Sequence, residues 1–518
     1  MSNLHKTAKS VILMIILSLG SKLLGFIREV LIAAKFGSGL QTDTFFVALS
    51  ATGIISTMIG VALKTTLIPI FSEIENKEGK SGKFKHTNNF LNTVVLISIL
   101  LVCIGYIFAP VLVRILASGF KGSQFELAIR LTRIGLPILV FTGIISIFRG
   151  LLHSELMFFE SSFSNFPFNF VYILFLIFLS GIYGIEGLMI TSVLAVVSQI
   201  TIQIPGVRKS GYKYKFIIDF NDKYLRKLFL LAMPMLIGTA INEINVIVDK
   251  TLASTLVSGS ISALNYANRL NNLIIGVFIS AITTVLFPML SQESNRNIDS
   301  MKKIMKDGIR SILLIAIPAT FGLILLAKPI VTVVFKRGSF DAIATEMTSQ
   351  ALIFYSIGLV AMSLRLFITR VYYSLQDTRT PMINGAISVV FNILLNLVLI
   401  RFMAHRGLAL ATSISTTILT TLLLYGLKKK LGNIGLRSYI SCGAKSLIAS
   451  CIMGLLSYKV YYRLYGVLGE SNLYNLISLA VGIGVGVIAY VILCYVLGIK
   501  EVWAIVNKIW RRLNKKWY

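Results

Sequence analysis

The chain has 518 residues, 56% of them hydrophobic and only 14% charged, with 50 Lys+Arg against 21 Asp+Glu and a formal net charge of +29. A mean hydropathy of +0.81 excludes an ordinary water-soluble domain, in which roughly a quarter of the residues are charged. The basic residues stand between apolar runs of roughly twenty residues, the length that crosses a bilayer, so the charge is read as membrane orientation and affinity for anionic phospholipid, with no nucleic-acid partner.

Lys6 and Lys9 precede VILMIILSLGSK, which mimics a signal peptide. The apolar pattern continues past Lys22 and Arg28 without a convincing cleavage site, so the segment near 10–36 is read as the first membrane helix. Runs able to cross ~30 Å of hydrocarbon at 1.5 Å per residue follow near 42–70, 88–114, 125–151, 158–181 and 184–206. A second group lies near 224–250, 259–289, 308–335, 346–373, 381–402 and 406–427, and two more near 439–460 and 474–497. The chain is therefore expected to be an all-α integral membrane protein of about fourteen transmembrane helices. Cys103, Cys442, Cys451 and Cys494 sit singly inside apolar runs and are read as packing residues.

With both termini on one side, the even-numbered connections carry KEGKSGKFK (77–85), RKSGYKYK (208–215), the stretch from Arg296 to Arg310, and KKKLGNIGLR (428–437). Roughly thirty Lys/Arg fall on that side and about nine on the other, which makes the first side cytoplasmic by the positive-inside rule. The outer connections are too short to build a domain. Beyond the last span, Trp503, Val506, Trp510, Leu513 and Trp517 alternate with Lys508, Arg511, Arg512, Lys515 and Lys516, a pattern that predicts an amphipathic helix on the inner leaflet over 499–518.

An internal repeat runs through the chain. Thr65, Pro69 and Ser72 match Thr284, Pro288 and Ser291 at an offset of 219 residues, which also sets Pro110 on Pro329. One residue later in offset, Phe120 meets Phe340 and Ser154 meets Ser374. The shift equals six helices, an even number, so the halves share one orientation in the membrane. The expected organisation is an amino-terminal lobe over 1–206, a second lobe over 207–428, an added helix pair over 429–498 and the basic tail over 499–518.

An ionisable group at mid-bilayer costs about 3 kcal/mol on insertion scales, so one retained there is expected to face a cavity or a partner. The first helix carries Lys22, Arg28 and Glu29; the second begins at Asp43 and carries Lys64; the seventh has Glu243 and Asp249 beside Lys250; the eighth has Arg269. Lys22 and Glu29 lie seven apart, nearly on one face, whereas Arg28 and Glu29 point about 100° apart. Arg28 and Arg269, one from each half, are candidate cavity cations, and a diphosphate suits a guanidinium fork best. The plainer alternative pairs Arg28 with Glu29 or Asp43 and lets Lys22 snorkel to the surface. Arg365, Arg370 and the QDTRTP turn (376–381) are read as anchoring and capping residues. Asn392 and Asn396, spaced i, i+4 in the eleventh helix, with Thr412 in the twelfth and Asp249, could hold a sodium ion or serve ordinary interhelical hydrogen bonds.

The segments SKLLGFIREVLIAAKFGSGLQTDTFFVAL (21–49), NYANRLNNLIIGV (265–277), FPMLSQ (287–292) and YYSLQDTRTP (372–381) resemble the MurJ/MviN lipid II flippases of the multidrug/oligosaccharidyl-lipid/polysaccharide exporter superfamily. The resemblance implies two six-helix lobes around a cationic cavity, with helices 13 and 14 forming a groove for the lipid tail, in a bacterial cytoplasmic membrane. It carries over Arg28, Asp43 and Arg269 as cavity residues, sets Lys22 where the family often has Arg, and maps a sodium site onto Asp249, Asn392, Asn396 and Thr412, with Asn396 standing where an Asp is often expected.

The implied substrate is lipid II, moved from the inner to the outer leaflet by alternating access. No organic cofactor is implied, and coupling would be to sodium or to the membrane potential; contacts with cell-wall synthesis proteins are further candidates. The sequence departs from the family in the second helix, where Ser56 stands at an expected Arg and Val61 at an expected Glu; Lys64, about two turns on from Ser56, is the candidate replacement. That departure keeps open a flippase for another polyprenyl-diphosphate-linked saccharide. A membrane glycosyltransferase or ligase, the enzyme alternative, would want clustered acidic or His residues, and His5, His86, His153 and His405 form no cluster in the sequence.

Overall fold

In the computed structural model, residues 2–469 and 471–503 are described, with side chains from Leu17 onward; among them the secondary structure is helical throughout, without strands. The first helix, α1, spans Ser2–Phe36. The 77-residue helix Leu40–Leu116 is divided at Gly79 (φ 69°) into α2 and α3. Helix α4 covers Gly122–Ser154, and Phe159–Lys209 is divided at Gly184 (φ 55°) into α5 and α6. There follow α7 Lys223–Ser254, α8 Ser260–Ser294, and α9 Ile298–Leu325 with its continuation Ala327–Phe335. Helix α10 is a bent pair, Ala342–Ile357 and Leu359–Ser374, kinked by 50°. The last four are α11 Arg379–Met403, α12 His405–Leu431, α13 Leu436–Leu468 and α14 Asn472–Val496.

Ten of the helical stretches, eleven with the bent pair, are long and apolar enough to cross a membrane. Dividing two of them at Gly79 and Gly184 and adding α1 gives the fourteen spans read from the sequence, among the described residues. Their outer faces stay apolar and uncovered: Ile107 is 70% exposed, Phe178 69%, Ile182 74% and Leu230 75%. Exposure of that extent is unfavourable against water and neutral against acyl chains. Of the amphipathic tail, Trp503 is described and half-exposed; Val506, Trp510, Leu513 and Trp517 lie outside the described residues.

Residues 1–262 with 337–341 form one compact unit, and 263–336 with 342–518 the other. The packing boundary thus falls after α7, whereas the sequence repeat divides near 206. The reason is local to the first unit. Tyr224, Leu225 and Leu228 of α7 are buried with Leu67, Ile70, Phe71 and Phe90, Lys227 pairs with Glu73, and Lys223 reaches Glu78 at 3.0 Å. At the far end of α7, Gly119 donates its N–H to Ser254 Oγ at 3.0 Å. The second unit has its own core of Met301, Met305, Ile309, Phe367, Val371 and Leu423. Helices α13 and α14 belong to it, joined by Tyr490, which hydrogen-bonds Ser446 at 2.7 Å and donates to the Leu314 carbonyl at 3.0 Å.

The polar connection expected over 77–85 is helical except at Gly79, so α2 and α3 extend well past their apolar runs. Ion pairs hold it: Lys77 to Glu73 at 2.9 Å, and the wholly buried Lys83 to Glu75 at 2.8 Å and to Glu155. His86 Nδ1 lies 2.5 Å from Asp222, whose carboxylate also accepts from Asn89 and caps α7 through the Tyr224 N–H. Burial pushes the Asp222 carboxyl upward, but these donors outweigh it and hold the pKa below the ordinary carboxylate value.

The repeat is also geometric. Thr65 and Thr284 each bond the carbonyl four residues back, at 2.9 and 2.7 Å. Phe120 and Phe340 each close a turn on the carbonyl three residues back, and Ser154 and Ser374 do so through Oγ. Leu156 and Gln376 share φ 58°, and Gly184 at φ 55° corresponds to Ala404 at φ 49°.

Candidate substrate-binding site

Arg28 projects from α1 into a pocket of α5 side chains. Its Nη2 lies 2.7 Å from Glu29 Oε1, its Nη1 donates to Asn169 Oδ1 at 3.3 Å, and the guanidinium stands 5.4 Å from the Phe168 ring centre and 4.9 Å from that of Tyr172. The long Arg side chain wraps around the helix far enough to close the ~100° between neighbouring residues. A guanidinium so neutralised carries no full unbalanced charge, and its Nε is buried without an acceptor.

Asp43, read from the sequence as a cavity residue, is 3% exposed. One oxygen accepts the Gly259 N–H at 2.7 Å, and the other accepts the Ser262 N–H and Oγ–H at 2.7 and 2.6 Å. This is an anionic cap on the first turn of α8, where a carboxylate satisfies backbone donors that the helix leaves unbonded. Lys22 is exposed on α1, and Arg269 is exposed on α8 in the second unit.

Of the candidate sodium ligands, Asp249 lies in the first unit and accepts from Asn245 at 3.3 Å. The others lie in the second: Asn396 donates to Asn392 at 2.8 Å, Asn392 to Ser415 Oγ at 3.2 Å, and Thr412 Oγ1 to the Leu408 carbonyl at 3.0 Å. Asp377 accepts from the Thr380 N–H and hydroxyl and from Lys430, closing the QDTRTP turn at the start of α11.

Lys64 lies elsewhere in the first unit, on the wall of a cavity of about 350 Å3 formed by α2, α4 and α6. Arg149 and His153 line it with Lys64, together with Thr57, Ser146 and Gln199. Val61 lies on the same wall, while Ser56 Oγ turns back to the Thr52 carbonyl at 2.8 Å. Helix α4 comes close to α2 here because residue 150 is Gly: a Cβ at that position would stand 2.9 Å from Leu67 Cβ. The sequence reading passed over Arg149. Its signal was an arginine within an otherwise apolar run, ISIFRGLL, with no acidic residue within a turn of it.

The sequence model of the family described as Lipid II flippase MurJ matches residues 32–474. The chain belongs to the lipid II flippase MurJ family. Among its relatives are a probable lipid II flippase MurJ of Vibrio cholerae, 32% identical over 438 residues (81% of this chain, 82% of that protein), and one of Rickettsia prowazekii, 30% identical over 416 residues (79% and 81%). A solved lipid II flippase MurJ in an inward closed conformation superposes with a TM-score of 0.78 at 27% identity, covering 94% of this chain and 99% of that one. An inward-facing multidrug resistance MATE transporter, 14% identical, reaches 0.67 over 81% of this chain and 98% of its own and shows the common fold alone. The MurJ match takes in Asp43, Lys64, Arg149 and Arg269 but begins after Lys22, Arg28 and Glu29.

Proposed function

We propose that the chain is a flippase carrying lipid-linked peptidoglycan precursor, lipid II, from the inner to the outer leaflet of the bacterial cytoplasmic membrane. The observation that carries this reading is membership of the MurJ family over residues 32–474, with relatives matched along about four-fifths of their own length. The chemistry agrees. A saccharide-diphosphate head group cannot cross ~30 Å of hydrocarbon unaided, and this chain carries cations within its spans. Alternating access exposes the head-group site first to the cytoplasm and then to the outside, while the polyprenyl tail stays in lipid or along the α13–α14 pair. The protein is a transporter, not an enzyme, with both termini cytoplasmic. It is driven by sodium, through Asp249, Asn392, Asn396 and Thr412, or by the membrane potential acting on charged groups. Proteins that make or polymerise the precursor are its natural partners.

Ser56 and Val61 favour one second reading, in which the cavity takes another polyprenyl-diphosphate saccharide. The test is complementation. The chain is expressed in bacteria depleted of their own lipid II flippase, and outer-leaflet lipid II is followed with a membrane-impermeant probe. Restored growth with outward lipid II is expected; well-inserted protein without rescue would overturn the lipid II assignment and point to the other saccharide.

A further inference from the structure

Most cations of the first unit for which partners are described are balanced by carboxylates: Arg28 by Glu29, Lys83 by Glu75 and Glu155, Lys223 by Glu78, and Lys227 by Glu73. Lys64 and Arg149 are not. Neither forms an ion pair among the described residues, and no carboxylate lines their cavity. Arg149 is half-buried, its Nε has no acceptor, and its only hydrogen bond is a long one, Nη2 to Ser164 Oγ at 3.4 Å.

The turn that follows α4 carries two carboxylates: Glu155 is taken up by Lys80 and Lys83, and Glu160 forms no ion pair among the described residues. Ser164 Oγ gives its own hydrogen to the Ser161 carbonyl at 2.8 Å, and Ser161 Oγ gives its own to the Phe158 carbonyl at 3.0 Å. Both hydroxyls therefore accept, from Arg149 and from His153 Nε2 at 2.7 Å respectively, which places a proton on Nε2 of His153. Lys64, Arg149 and His153 line the same cavity. A cavity of about 350 Å3 lies near the lower end of small-ligand pockets, about 300–1,000 Å3. It has room for a diphosphate.

Its position is informative. Lys64 is in the second half of α2 and Arg149 and His153 close α4, next to Glu155 and the Lys83 junction. By the positive-inside reading that end is cytoplasmic. We infer that Lys64 and Arg149 form a diphosphate-binding site, with His153 on its wall, in the cytoplasm-proximal half of the first unit, where the diphosphate of the lipid-linked precursor is held on loading, apart from the Arg28–Glu29 cluster. The inference rests on the flippase reading. Arg149 supplies the planar fork that grips two oxygens of one phosphate, and Lys64 the mobile point charge that follows the other. The site also supplies the cationic function that Ser56 lacks.

The test uses the full chain in zwitterionic phosphatidylcholine nanodiscs, with undecaprenyl diphosphate binding measured for the wild type and for Arg149→Gln, Lys64→Gln and Arg149→Lys. Each Gln variant is expected to weaken binding by about tenfold or more, the loss typical of a charge-assisted hydrogen bond, and Arg149→Lys by less. Lys64 is exposed, so its variant keeps the test sound if Arg149→Gln folds poorly. Displacement by inorganic diphosphate, lost in the same variants, would support the site; displacement by phosphatidylglycerol instead would reassign it to bulk phospholipid and overturn the inference. Unchanged undecaprenyl diphosphate binding in both Gln variants would overturn it while leaving the flippase reading intact, because that reading stands or falls on wild-type complementation.

Discussion

Arg28 illustrates how a single residue can be read correctly as exceptional and still be ambiguous in role. An arginine in a membrane helix is costly unless partnered, and its partner here is Glu29, at 2.7 Å with 14% and 4% side-chain exposure. Removing one member of such a pair strands the other, at about 3–5 kcal/mol, whereas replacing both with apolar groups is often neutral. Arg28→Ala should therefore lower the thermal midpoint in detergent and stop transport. The double variant Arg28→Leu/Glu29→Leu should recover the midpoint and remain inactive if Arg28 also touches the diphosphate. Recovery of transport with the midpoint, in the flipping assay, would show that the pair only holds α1 to α5. Other residues were legible to different degrees. Asp43 stood out as a charge at a helix start, but its partners Gly259 and Ser262 lie 216 and 219 positions away, and no local pattern announces them. Arg149 was missed because a lone cation in an apolar run resembles any snorkelling residue until its lack of a carboxylate is seen in three dimensions.

At the scale of elements, the apolar runs located the helices because bilayer thickness sets a length that few other forces set. They did not locate the helix ends. The stretch 71–87 is too polar to register as a span, yet it is helical on both sides of Gly79, and ion pairs among Glu73, Lys77, Glu75, Lys83 and Glu155 hold it. The start of α9 at Ile298, ten residues ahead of its apolar run, is likewise set by a polar device: Asn297 Oδ1 accepts the Asp299 and Ser300 N–H groups. The repeat predicted from scattered Thr, Pro and Ser matches extends to backbone angles that those residues do not encode. At the α5–α6 turn the left-handed position is Gly184, and at its counterpart before α12 it is Ala404. A Cβ in that region costs on the order of 1 kcal/mol. Gly184→Ala should accordingly lower thermal stability by about 1 kcal/mol, and Ala404→Gly should raise it by a similar amount; equal small effects of one sign, measured by thermal unfolding in detergent, would mean that the two turns are not equivalent in strain.

For the molecule as a whole, the distribution of its +29 net charge carries the argument about direction. Basic residues crowd the connections at 77–85, 208–215, 296–310 and 428–437, and insertion retains such segments on the cytoplasmic side. The connections of opposite parity, such as those around Lys121 and Val257, are short and sparsely charged. With the four native cysteines replaced, a single cysteine at the exposed positions Lys85 or Lys429 should react with a membrane-impermeant maleimide only after the cells are permeabilised, whereas Lys121→Cys should react in intact cells. The pattern bears on mechanism because α2 and α4 both run from the Lys121 side toward the Lys85 side, so the same labelling fixes which leaflet lies nearest Lys64 and Arg149. If Lys85→Cys is labelled in intact cells, the orientation is inverted and the pocket faces the outer leaflet. It could then receive a diphosphate only after translocation, and the loading role assigned to it would fail together with the orientation.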